Sequence, residues 1–130
     1  MGVDLVTRQS PHSLAVTLDR LESAARLAGA TIIGRIDHQA SAVAVGMSLH
    51  PATVLVFGNA KAGTPLLQQE PTIALDLPLR VLGWQDDDGR VWLTYRDPIA
   101  IARDHGLSAD DARVVTLSAG LRAMVDKTIG

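Results

Sequence analysis

The chain has 130 residues and a formal net charge of -2, from 12 basic and 14 acidic side chains. It therefore lacks the excess of positive charge that attracts nucleic acids or anionic lipids. Because it has no cysteine, disulfides, thiolate-bound zinc, cysteine nucleophiles and cysteine-ligated iron–sulfur clusters are excluded.

The length predicts one domain over residues 1–130. No apolar run reaches the roughly 18 residues of a membrane span. The N-terminus lacks the basic and apolar segments of a signal peptide. We therefore expect a cytoplasmic protein that does not enter a membrane.

Two strands flanking one helix are predicted between residues 3 and 36. The first strand covers residues 3–7, and Ser10 followed by Pro11 predicts the start of the helix. Its apolar stripe recurs every three or four residues and consists of Leu14, Leu18, Leu21, Ala25 and Ala28. Gly29 ends the helix, and the β-branched residues 31–36 predict the second strand.

A short helix and a third strand follow. Asp37 predicts an N-cap for a helix over residues 38–45, and Gly46 predicts its end. Residues 53–57 form a continuous apolar run of strand length, typical of a buried strand.

The next segment predicts a helix and then one long strand. Thr64 followed by Pro65 predicts the start of the helix, and Pro71 its end. Residues 73–85 alternate between apolar and polar side chains, which predicts a half-buried strand. Pro78 predicts a bend, a bulge or an edge position in that strand.

The C-terminal part predicts a hairpin and two helices. Asp88 and Gly89 predict the turn before a strand over residues 91–95. Asp97 caps a short helix, and a final helix is predicted over residues 108–128. The element order predicts an α+β protein: a mainly antiparallel sheet of four to five strands with helices on one face.

A series of motifs runs through the middle of the chain. In order they are Ile36-Asp37-His38, Pro51, Val56-Phe57-Gly58-Asn59, Gly63-Thr64-Pro65-Leu66, Pro71, Leu75-Asp76-Leu77-Pro78-Leu79 and Tyr95-Arg96-Asp97-Pro98. This series, over residues 10–107, resembles the domain-of-unknown-function family numbered 302. The resemblance implies a TATA-box-binding-protein-like α/β fold and a homodimer. Because the family has no assigned activity, it implies no mechanism and no binding of DNA.

The first candidate site consists of Asp37, His38 and Asp76. An imidazole between two carboxylates is suited to general acid–base chemistry or to one part of a metal site. Asp37 is expected at a strand end and Asp76 within a strand, so the two could meet. Alternatively, Asp37 caps the next helix and Asp76 is a satisfied polar residue of the strand.

The second candidate site is the segment from Gly58 to Thr64. Gly58 and Gly63 have the spacing of the two glycines of a phosphate-binding loop, but Thr64 stands where that motif needs lysine. A nucleotide triphosphatase is therefore not predicted. Asn59, Lys61 and nearby backbone N–H groups could still hold a carboxylate or phosphate, or the glycines could serve only a tight turn.

The third candidate site is the hairpin. Trp84 and Trp92 flank its turn symmetrically, which predicts a cross-strand pair. Together with Tyr95 and Arg96 they could line a small-molecule pocket, form a dimer interface or pack beneath a helix.

No metal site or cofactor is predicted. The four histidines, His12, His38, His50 and His105, are far apart in the sequence and lack metal-ligand spacing. His12 and His105 are interpreted as surface residues near helix ends.

Three functions are compatible with these observations. We favour a homodimeric accessory module that binds a small molecule and has no catalytic activity of its own. One alternative is an enzyme that uses His38 with Asp37 and Asp76, and the other is a structural protein–protein interaction module.

Overall fold

A computed structural model describes residues 4–130 as a five-stranded antiparallel sheet with the order β1-β5-β4-β3-β2. The strands are β1 (Leu5–Ser10), β2 (Thr31–Asp37), β3 (Ala52–Gly58), β4 (Leu79–Gln85) and β5 (Val91–Arg96). The helices are α1 (Leu14–Leu27), α2 (His38–Ala44), α3 (Ala60–Gln69), α4 (Pro98–Asp104) and α5 (Ala112–Ile129). The predicted α+β class is confirmed. Val3, the predicted start of the first strand, lies outside the described residues.

The main core lies between the sheet and the helices α1 and α5. Buried residues alternate along β3, β4 and β5 with partly exposed ones, because successive side chains of a strand point to opposite faces. The inner face of the sheet contributes Leu55, Phe57, Val81, Leu93 and Tyr95 to this core. The helices contribute Leu21 and Ala25 from α1, and Leu121 and Val125 from α5.

Gly83 allows α1 to lie directly against β4. A Cβ atom at this position would lie 2.9 Å from Cδ2 of Leu18 and 3.0 Å from Cδ1 of Leu14. Both leucines belong to the buried side of α1, so the missing side chain of Gly83 determines how closely the helix approaches the sheet.

A second, smaller core lies beside the sheet. It is formed by apolar side chains of α3, α4 and α5 and of a short 3-10 helix, Pro71–Leu75, which connects α3 to β4. Its buried members are Leu66, Ile73, Ile101, Ala102, Leu107 and Val114.

The predicted long strand over residues 73–85 is wrong in its first half. Pro71 occupies the first position of the 3-10 helix, and the carboxylate of Glu70 caps it by accepting a hydrogen bond from Thr72 N–H. Ile73 is buried in the second core, whereas Leu75 is 77% exposed. In a strand, Ile73 and Leu75 would lie on the same face and be buried to a similar extent. The alternating sequence of this segment therefore does not reflect a strand.

Three helix starts also differ from prediction. α3 begins at Ala60 after the N-cap Asn59, and not at Thr64. Ser13, not Ser10, caps α1 by accepting from Val16 N–H; Ser10 ends β1 and hydrogen-bonds the buried hydroxyl of Thr17. The final helix begins at Ala112, because Asp111 caps it through Arg113 N–H. The predicted short helix after Asp37, the Asp88–Gly89 turn and the helix after Asp97 are present.

Among residues 4–130, no helix combines the length and the apolar character that crossing a membrane would require.

Alanine at Gly83 should destabilise the protein, whereas alanine at Gly120 should stabilise it. The new Cβ at position 83 would overlap α1, and such overpacking costs about 1–3 kcal/mol. Gly120 is exposed within α5 with open space around it, so alanine there should add about 0.5–1 kcal/mol. Urea unfolding of both variants checks the prediction. Equal stability of the two would show that α1 does not depend on the close approach at Gly83.

Candidate functional site

Trp84 and Trp92 form the predicted cross-strand pair on the outer face of the sheet. They are directly opposite each other in the β4–β5 ladder, and their rings stack with centroids 6.2 Å apart. Nε1–H of Trp84 donates to the hydroxyl of Thr94 at 2.9 Å, and Nε1–H of Trp92 donates to Asp86 at 2.9 Å. Both indoles are therefore held in place by stacking and by a hydrogen bond.

A cleft of about 520 Å³ opens beside Trp84. On the other side of the ring from Trp92, the β3 residue opposite Trp84 is Ala52, whose methyl group is too small to fill the space. We call this space the Trp84 cleft. Its lining consists of Leu49, His50, Pro51, Ala52, Leu82, Trp84, Gln85, Asp86, Asp87 and Asp88.

A side-chain contact bridges the two sides of the Trp84 cleft. His50, in the segment before β3, lies with Nε2 at 2.8 Å from Oδ1 of Asp87, in the β4–β5 turn. Both side chains are largely exposed, at 61% and 91%. A contact between two such exposed groups is weak and can exchange with solvent or with another partner.

Asp86 forms its hydrogen bonds within the hairpin. Its carboxylate accepts from Trp92 Nε1–H and from the backbone N–H groups of Asp88 and Arg90. The bond from Trp92, and to a smaller extent those from the backbone, lower the pKa of Asp86 below its ordinary value of 3.8. The carboxylate therefore remains charged at neutral pH and fixes the shape of the turn.

Tyr95 does not join this site. It points to the inner face of the sheet, where it is 5% exposed and packs in the main core. Burial raises the pKa of its hydroxyl. The prediction that Tyr95 binds a ligand is wrong. Side chains alternate between the two faces of the sheet along β5, and Tyr95 lies on the face opposite to Trp92.

The segment from Gly58 to Thr64 is not an open loop. Asn59 caps α3, its side-chain oxygen accepting from the N–H groups of Lys61 and Ala62. The N–H of Gly63 donates to the carbonyl of Asn59, and Thr64 lies inside the helix. The N–H groups proposed for anion binding at Gly63 and Thr64 therefore belong to α3, which begins four residues before Thr64.

Gly58 has a structural explanation. A Cβ atom on this residue would lie 2.9 Å from Cβ of Pro78, closer than two such atoms approach. The glycine therefore allows the end of β3 to pass beside the segment that leads into β4.

Asp37 and Asp76 do not converge. Asp37 is opposite Thr53, at the start of β3, whereas Asp76 precedes β4, whose first residue is opposite Phe57 near the end of β3. The four residue steps from Thr53 to Phe57 span about 13 Å of strand, well beyond the reach of direct proton transfer. Asp37 caps α2 through Ala40 N–H, and His38 is exposed at the first position of that helix.

Asp76 instead belongs to a chain of hydrogen bonds around His105, which we call the His105 network. Nε2 of His105 lies 2.6 Å from Oδ2 of Asp76, and Nδ1 lies 2.9 Å from the hydroxyl of Thr72. That hydroxyl donates to Glu70 at 2.8 Å. The side chain of His105 is only 12% exposed, so the prediction of a surface residue is wrong.

The His105 network joins the 3-10 helix to the C-terminal end of α4. A hydroxyl has one proton, so if Thr72 donates to Glu70, Nδ1 of His105 must donate to Thr72. These hydrogen bonds connect the C-cap residue of α4 to the N-cap and C-cap residues of the 3-10 helix, Glu70 and Asp76.

Within residues 4–130, no three histidine, aspartate or glutamate side chains come together as a group able to hold a metal ion.

A sequence profile described as "Domain of unknown function DUF302" matches residues 6–127, nearly the whole chain. The chain belongs to this family. The predicted resemblance is thereby confirmed, and it extends beyond residues 10–107 into α5. A crystal structure of an uncharacterized conserved DUF302 protein from Bacillus stearothermophilus is similar, with a TM-score of 0.89 over 97% of this chain and 98% of that one. At 16% identity, this likeness shows the fold alone.

Two curated relatives are each named Fluoride-specific ion channel FluC 1, from Brucella suis biovar 1 (strain 1330) and Brucella abortus biovar 1 (strain 9-941). Each is 46% identical over 110 residues, which make up 83% of this chain. The matched region is 43% of the first relative and 41% of the second. This DUF302 chain therefore spans less than half the length of the curated relatives it matches.

Replacing Glu70 by glutamine should lower the free energy of unfolding of this DUF302 protein more at neutral pH than at acidic pH. The hydrogen bonds from the Thr72 side chain and backbone lower the pKa of Glu70 below its ordinary value of 4.5. A lowered carboxyl pKa adds stability that is fully present above that value and is lost as the pH falls through the folded-state pKa. Urea unfolding at about pH 7 and about pH 3 measures the difference in unfolding free energy between wild type and E70Q. This difference should be smaller at the acidic pH.

Asp110→Asn is the matched control for this experiment, because it removes an exposed carboxylate of the α4–α5 loop. A gap for E70Q that is the same at both pH values would show that the charge of Glu70 does not stabilise the network.

Proposed function

We propose that this chain is a homodimeric accessory module that binds a small molecule in the Trp84 cleft and has no catalytic activity of its own. The observation that carries this proposal is the open space above Ala52, walled by a tryptophan whose position is fixed.

The size and lining of the cleft support ligand binding. Ligand sites typically measure 300–1,000 Å³ and are mostly apolar with a few polar groups, and the cleft of about 520 Å³ falls within this range. Leu49, Pro51 and Leu82 supply apolar surface, and His50 and Asp87 supply polar groups at the opening. Because Trp84 is already ordered, binding would cost little side-chain entropy there.

The position of the His105 network supports a non-catalytic role for the cleft. Asp76 precedes the first residue of β4, whereas Trp84 lies near the last, so the paired imidazole and carboxylate are at the other end of the strand. A ligand beside Trp84 would be too far from them for proton transfer.

Benzyl alcohol should bind in the cleft and shift the NMR signal of the Trp84 indole N–H. The chain has two tryptophans, so the two indole signals are assigned by comparison with W92F. We expect a saturable shift at Trp84 and at the Ala52 amide in the wild type, because both line the cleft. In Trp84→Ala the shift at Ala52 should be lost. The absence of any saturable shift in the wild type would contradict the proposed site.

The curated relatives support the accessory role. In them the region similar to this chain is less than half of a protein named as a fluoride-specific ion channel. We propose that this chain likewise accompanies an ion channel, rather than carrying out a reaction by itself.

The homodimer is proposed to form through exposed apolar residues of β2, of α2 and of the segment that follows α2, which we call the α2 surface. Its apolar side chains are unusually exposed: Ile33 64%, Ile36 48%, Val43 64%, Val45 72% and Met47 67%. No aspartate, glutamate, lysine or arginine occurs between Asp37 and Lys61. Contiguous exposed apolar surface rimmed by polar residues is typical of protein interfaces, and a twofold dimer needs one self-complementary patch.

Val45→Asp should convert the dimer to a monomer, because a charge would be buried in the apolar contact. The matched control is Val115→Asp, which changes a valine that is 44% exposed on α5 and should leave the dimer intact. Light scattering of the two variants and the wild type measures the mass. A monomeric wild type, or dimers in all three, would contradict an interface at the α2 surface.

A further inference from the structure

We infer that the ligand of the Trp84 cleft is an organic cation, in which an ammonium or guanidinium group is joined to a small flat apolar body. This inference rests on the proposed function, since it concerns the ligand of the same cleft. The lining contains groups that already hydrogen-bond to other residues and groups that face the open space, and the second set determines which ligand the cleft can bind.

Trp84 offers the cleft its π surface and not its hydrogen-bond donor. Its Nε1–H is bound to Thr94, and Trp92 stacks on one side of the ring. The side toward Ala52 faces the open space. A ring whose donor is occupied attracts a flat apolar group by contact and a cation through its negative face.

Of the three carboxylates in the lining, Asp87 is the one whose partner, His50, lies across the opening of the cleft. Asp86 accepts three hydrogen bonds that build the turn, and Asp88 lies 3.4 Å from Arg90. Asp87 is paired with His50 across the opening, and both side chains are exposed. An ammonium group that lies over Trp84 and replaces His50 at Asp87 would therefore open the bridge without leaving a buried group unpaired.

The charge of the lining opposes an anionic ligand. It contains no lysine or arginine, and His50 is its one group able to carry a positive charge. Asp86 remains ionised at neutral pH because of its three donors. A carboxylate or phosphate in the cleft would have to displace Asp87 from His50 and would then lie beside like charges.

Three probes of nearly the same shape test the sign of the charge: benzylammonium, benzyl alcohol and benzoate. NMR titrations of the wild type at low salt should give benzylammonium about fivefold tighter binding than benzyl alcohol, the gain that one exposed ion pair and one cation–π contact supply. Benzoate should bind more weakly than either. Equal affinity of benzylammonium and benzyl alcohol would overturn the cationic ligand while leaving the cleft as a binding site.

Two variants locate the effect. Asp87→Asn should reduce the preference for benzylammonium over benzyl alcohol to about twofold, the part that the cation–π contact with Trp84 supplies. Asp110→Asn is the control for net charge and should keep the full preference. His50→Ala should strengthen benzylammonium binding, because it removes the competing partner of Asp87. A preference of undiminished size in D87N would overturn the assignment of Asp87 as the partner of the cation. If none of the three probes shifts Trp84 in the wild type, the proposed function itself fails.

Discussion

The structure depends on the packing of α1 and α5 against a single face of the sheet. Leu55, Val81 and Leu93 are buried beneath these helices, and Gly83 lets α1 approach within contact distance of β4. The alternation of side chains then sends every second residue of the same strands to the outer face. Trp84 and Trp92 lie there because their parity is opposite to that of the core residues. The same constraint that buries the aliphatic side chains thus presents the tryptophan pair on the outer face beside the cleft.

A continuous apolar run predicted β3 and a turn signal predicted β5, each to within one residue at either end, and the element order was sufficient for the fold class. The alternation over residues 73–85 was misleading in its first half, because a 3-10 helix beside a second core also buries one residue and exposes another nearby. The decisive signals were Pro71 with Glu70 before it, which are features of a helix start. At α3 the N-cap is Asn59, and asparagine is a strong N-cap residue that predicts this helix start better than Thr64 does. Local capping chemistry was present in the sequence at both places.

The candidate sites were predictable only where they depend on one hairpin. Trp84 and Trp92 could be paired because the turn between them sets their register. The partner of Asp76 is His105, 29 residues further along the chain, and no local pattern connects them. The same holds for His50 and Asp87, which meet because the segment before β3 and the β4–β5 turn lie at the same end of the sheet. Contacts of this kind follow from strand order, which the sequence does not display.

The stacked indoles also have an optical consequence. Two tryptophan transitions held 6.2 Å apart with 24° between the ring planes couple as excitons and add a couplet to the far-ultraviolet circular dichroism spectrum. Part of that spectrum therefore reports the geometry of one hairpin and not the backbone. Helix content derived from circular dichroism alone would be distorted, whereas the couplet itself would follow the integrity of β4 and β5 during unfolding.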